Sequence, residues 1–126
     1  MKTKNLFVIL LFTFLTAQTA MSQIKGYWKG QIDLGTMKLE MAFNITAIEN
    51  GYVTTLDVPA QGAFDFPVDE TIFQDKRLQL TMSAMDASYS GTLKEGIVEG
   101  KFTQRGMTFP LNLAKAEKKI SRSEER

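Results

Sequence analysis

Residues 23–113 predict an all-β domain, an antiparallel meander of about eight short strands closing into a small β-barrel. Three observations carry that prediction. Apolar side chains recur at alternate positions in one short run after another. Glycine or charged turns break these runs about every ten residues, as in antiparallel all-β domains. No stretch ahead of residue 114 carries a helical period. A flat meander of this length would leave two unpaired edges, so closure is the economical arrangement.

The barrel is expected to follow an N-terminal signal peptide at 1–22. Lys2 and Lys4 precede the apolar run from Leu6 to Leu15, and the small residues Ala20 and Ser22 occupy the positions a signal peptidase reads. An uncleaved transmembrane helix is the competing reading, but the run is close to half of the ~20 apolar residues a span needs. Cleavage after Ser22 would leave Gln23 first. Cysteine is absent, which excludes disulfides and a lipid-bearing cysteine, so the product is expected free of the membrane, periplasmic or secreted. The full chain's net charge of +1 becomes −1 once Lys2 and Lys4 leave, a balance that suggests neither a nucleic-acid partner nor an anionic membrane surface.

In chain order, the run 26–34 places Trp28, Gly30, Ile32 and Leu34 on one face and Tyr27, Lys29, Gln31 and Asp33 on the other. After the Gly35-Thr36 turn, Met37, Leu39, Met41, Phe43 and Ile45 share a face. Asn50-Gly51 is a hairpin signal, and the run 52–58 that follows turns Leu56 and Val58 inward and Asp57 outward. Residues 57–67 interrupt the alternation with two prolines, Gly62, and the aromatics Phe64 and Phe66. Strands resume at 68–73 and at 78–82, across the charged turn 74–77, and again at 88–93. The last two runs, 97–104 and 107–113, are joined by Arg105-Gly106. Pro110 assigns the final strand to an edge or a bulge. Gly30, Gly91 and Gly100 fall on the apolar face, where glycine lets a strand coil sharply. They also leave interior space for a ligand or for a bulky neighbour such as Trp28. Small barrels are usually filled by their own side chains, which favours the structural role. Residues 114–126 form a charged, poorly ordered tail in this reading.

Histidine is absent as well as cysteine, so a Ser-His-Asp or Cys-His arrangement and a conventional zinc site are both excluded. No catalytic residue and no metal or other cofactor is assigned. Asp57, Asp65, Asp69 and Glu70 could in principle serve acid–base chemistry or bind calcium, but acidic residues at turns more often hold loop amides. Phe64 and Phe66 could form an exposed patch or fold back over the barrel mouth. Trp28 is a core residue first and a ligand contact second. The candidate ligand or partner contacts are therefore Trp28, Asp57, Gln61, Phe64 and Phe66.

Two family resemblances rest on these motifs. Gly26-Tyr27-Trp28 resembles the Gly-x-Trp opening of lipocalin-type barrels. That likeness implies a lipocalin-like barrel, a small apolar ligand, and a late-strand cation beside the tryptophan, for which Arg105 or Lys101 is available. A longer likeness covers residues 24–113. Gly26-Tyr27-Trp28-Lys29-Gly30, Asp57-Val58-Pro59-Ala60-Gln61-Gly62, Phe66-Pro67-Val68, Tyr89-Ser90-Gly91, Gly100-Lys101-Phe102-Thr103-Gln104-Arg105-Gly106 and Pro110-Leu111-Asn112-Leu113 resemble the small β-domain found ahead of the catalytic domain in exported bacterial α/β-hydrolases. Val58 stands where that pattern has serine, and Phe102 where it has tryptophan. The family's catalytic residues have no counterparts in the sequence. The resemblance implies a non-catalytic binding or accessory module, working alone or with a separate exported α/β-hydrolase or other protein. A split or truncated hydrolase front end and a carrier of a small apolar molecule are the alternatives.

Overall fold

The computed structural model describes residues 23–118, so the expected signal peptide at 1–22 and the tail beyond 118 lie outside the described residues. Ten strands form one antiparallel sheet: β1 Gly26–Asp33, β2 Lys38–Ile48, β3 Gly51–Val58, β4 Ala63–Pro67, β5 Glu70–Gln74, β6 Arg77–Met82, β7 Ala87–Lys94, β8 Ile97–Gln104, β9 Met107–Pro110 and β10 Leu113–Ala116. Two three-residue 3-10 turns connect β3 to β4 (Pro59–Gln61) and β6 to β7 (Ser83–Met85). No α-helix occurs among the described residues, and none is long and apolar enough to cross a membrane. Neighbours in the sheet run β4-β3-β2-β1-β10-β8-β7-β6-β5, with β9 also paired to β8.

Two strands exceed the expected eight, and each has a local cause. β4 arises inside the stretch 57–67, where Leu56 pairs with Phe66 and Val58 with Ala63, leaving Phe64 and Asp65 opposite Asp57 alone. That two-against-one bulge shifts the alternation by a residue and hides the strand from a period-two reading. The run 107–113 divides at Leu111-Asn112. There the Leu111 N–H bonds the Gly100 carbonyl (2.8 Å), while the Asn112 side-chain oxygen accepts the Gly100 N–H (3.2 Å). Beyond the break the chain pairs with both β1 and β8, and it remains strand to Ala116, three residues into the expected tail.

The expected closed barrel is not formed. β4 and β5 remain as the two ends of the ladder. The reason lies at Pro67, which has no N–H to donate and ends β4 opposite Thr55. Its successor Val68 donates to the Thr54 carbonyl of β3 (3.1 Å), whereas Asp69 donates to the Thr81 carbonyl of β6 (2.8 Å). The chain thus leaves β3 for β6 between consecutive residues. Side chains bridge β3 and β5 instead: Thr71 Oγ1 bonds Thr54 Oγ1 at 2.8 Å, and the Tyr52 and Phe73 rings meet edge-on at 6.3 Å.

Inside the curved sheet, Trp28, Phe43, Leu56, Leu80, Tyr89, Val98 and Leu113 form the buried core. The inward glycines make room for particular neighbours. A Cβ on Gly100 would collide with the Ser90 carbonyl and lie 2.5 Å from Tyr89 Oη, and one on Gly30 would lie 2.8 Å from Leu111 Cδ1. Tyr89 and Leu111 fill the space, and Tyr89 is fixed by donating its hydroxyl to the Leu111 carbonyl at 2.8 Å. Burial pushes the Tyr89 phenol well above its usual range. The two ends of inward alternation fail: Leu34 and Met37, flanking the first turn, are exposed, as is Met107.

Candidate binding cleft

Antiparallel hairpins send alternate connections to opposite ends, and the two ends differ. At one end Trp28 and Ile24 are fully buried, and the indole Nε1 donates to the Ile24 carbonyl at 2.9 Å. Lys115 lies directly across from Trp28 in the β1–β10 pairing, with its ammonium 5.6 Å from the ring centroid. That geometry supports a cation–π contact. The cation beside the tryptophan is therefore Lys115, not Arg105 or Lys101. Trp28 is buried at this end and is not among the residues that line the cleft described next.

The opposite end carries the β1–β2 turn, both 3-10 connectors and the Arg105-Gly106 turn between β8 and β9. These short connections border the interior without covering it, and a cleft of about 390 Å³ opens there. Buried Ile32, Met41, Val58 and Phe102 line its inner part, and exposed Leu34 and Met107 stand on its border. Gln61, Gln104 and Arg105 supply its polar groups. The volume falls in the range of pockets for small molecules, ~300–1,000 Å³.

Two side chains hold the second connector to the strands around this cleft. Asp69 Oδ2 accepts the Ser83 N–H at 2.5 Å, and this bond holds the Asp69 carboxyl below its usual range. Gln104 Nε2 donates to the Met85 carbonyl at 3.2 Å, and the Arg105 N–H to the Asp86 carbonyl at 3.0 Å. Met85 and Phe109 complete the apolar wall on this side.

The sequence-predicted residues do not converge on one site. Gln61 alone lines the cleft. Asp57 does lie opposite Leu56 and Val58, yet it is buried, because Tyr27 and the β4 bulge cover it. Its Oδ2 accepts the Tyr27 hydroxyl and its Oδ1 the Asp65 N–H, both at 2.8 Å. Asp65 is the bulge residue at φ 54°, left without a ladder partner, so Asp57 satisfies an amide that the sheet leaves over. Burial, reinforced by the bond to Asp57, raises the Tyr27 phenol well above its usual range. Phe66 pairs with Leu56 and packs on the core, and Phe64 is half-buried; neither closes the open end. Asp65 meets Lys118 at 3.4 Å, and no three metal-ligating side chains gather among the described residues.

Sequence reasoning missed Leu34, Gln104, Arg105 and Met107. The signal was a pair of large apolar residues next to turns, at Leu34-Gly35 and Gly106-Met107, where a polar residue would solvate the strand end. Comparison with known proteins finds no match, whether among family models, curated proteins or solved structures.

Proposed function

We propose that the chain is an exported, non-catalytic binding module that takes a small apolar ligand into the cleft between its two 3-10 connectors. The observation that carries this reading is the contrast between the ends. Trp28 and Ile24 are buried at one, while the other leaves about 390 Å³ open beside exposed Leu34 and Met107. Apolar surface left in contact with water at a concave site gains when a ligand covers it. Methionine suits such a wall because its unbranched thioether adapts to ligands of different shape. The absence of histidine and cysteine from the sequence, with no three metal-ligating side chains gathered among the described residues, supports binding over catalysis.

Titration of the mature protein with the neutral fluorophore N-phenyl-1-naphthylamine tests this. One saturable site is expected, weakened at least ~10-fold by Leu34→Glu or Met107→Glu, since each places a charge at an apolar contact. Both positions are exposed, so the melting temperature should hold. Absence of saturable binding in the unaltered protein, or equal affinity in both variants, would overturn the reading.

A further inference from the structure

We infer that the cleft's ligand is an amphipathic monocarboxylate, its hydrocarbon chain lying among the cleft's apolar residues and its carboxylate on Arg105. The inference rests on the cleft being the binding site and adds the ligand's polar end. Arg105 is the one charged residue that lines the cleft among the described residues. No described carboxylate comes within 4.0 Å of the Arg105 guanidinium. A cation with no described carboxylate partner at the border of an apolar cleft offers a complementary charge to one anionic head group.

The backbone beneath that guanidinium is fixed. Arg105 sits at φ 50° in a tight turn, and its N–H is bonded to Asp86. The guanidinium is thus presented from a pinned base rather than from a mobile loop. Its planar fork matches a carboxylate through two parallel hydrogen bonds, which a hydroxyl or an amine does not reproduce. The amide of Gln61, from the connector across the cleft, supplies a further donor. One N–H of the Gln104 amide is committed to the Met85 carbonyl.

The test uses three straight eight-carbon probes, octanoate, 1-octanol and octylamine, measured by isothermal titration against the mature protein. Octanoate is expected to bind about tenfold more tightly than 1-octanol, with octylamine weakest, as for one charge-assisted contact at a solvated border. Salt should narrow the gap between octanoate and 1-octanol. Arg105→Asn should abolish the preference for octanoate over 1-octanol, and asparagine tolerates the positive φ, so the turn is kept. Arg105→Lys should retain part of the preference and guards against a folding defect in the first variant. Equal binding of octanoate and 1-octanol to the unaltered protein overturns the inference and leaves the cleft reading standing. No binding of any of the three overturns both.

Discussion

The connectors Pro59–Gln61 and Ser83–Met85 trace nearly the same path and are held by opposite means. The residue before each has φ near −130°, at −129° for Val58 and −126° for Met82, with ψ of 84° and 83°. Each ends on a left-handed residue that donates its N–H back to the first residue of the turn, Gly62 to Pro59 at 2.9 Å and Asp86 to Ser83 at 3.0 Å. Gln61 and Met85 then occupy matching places beside the cleft. In the first connector the conformation comes from residue type: Pro59 fixes its own φ, and Gly62 adopts φ 67° without a Cβ penalty. In the second an aspartate takes the left-handed position, and contacts from Asp69, Gln104 and Arg105 hold it. One shape can be written locally or imposed from a distance.

Removing the clamp of each arm should separate the two most widely. Asp57→Ala leaves the buried Tyr27 hydroxyl and the part-buried Asp65 N–H without partners, and a loss of about 2–4 kcal/mol is expected in urea unfolding. Asp69→Ala removes a carboxylate that water can replace at the Ser83 N–H, so its melting temperature should fall by less. The reverse order would mean that the second connector, not the β4 bulge, anchors this end.

Exchange at the left-handed positions sharpens the comparison at smaller cost. A Cβ at Gly62 would meet nothing within 4 Å, so Gly62→Ala tests backbone conformation alone and should cost about 1 kcal/mol. Asp86→Gly relieves the same kind of strain and should be neutral or slightly stabilising. Equal losses in both would contradict local control of the first connector.

The smallest effect is confined to acid. The folded-state carboxyl of Asp69 titrates below its ordinary value, so its contribution is complete above about pH 4 and disappears as pH falls through the folded value. Asp69→Asn should therefore flatten the acid limb of stability against pH while leaving the neutral region without a change of slope. Urea midpoints between about pH 2 and pH 5 measure it.

The same contrast explains what could be read in the sequence. Pro59 and Gly62 announce an irregular connection by their own chemistry, whereas Ser83-Ala84-Met85-Asp86 carries no such mark. Alternation placed Trp28, Ile32, Phe43 and Leu56 in the core because each lies where a strand is paired and covered. It failed at Leu34 and Met37, which continue the inward phase into the exposed first turn. Asp57 was legible as a loop-holding residue, but its partner Tyr27 was not, because the two lie on strands separated by β2. Arg105 was offered as a neighbour of Trp28, since a turn between two late strands does not reveal which end of the sheet it occupies.

The most direct test of the account follows methyl-labelled methionines by NMR during titration with 1-octanol, a neutral probe of the cleft alone. Met41, Met85 and Met107 line the cleft, while Met82 is buried in the core and the Trp28 indole is buried at the opposite end. The expected result is saturable shifts at the three cleft methyls with Met82 and the Trp28 N–H unmoved. Shifts centred on Trp28, or an absence of saturable shifts at Met41, Met85 and Met107, would contradict it.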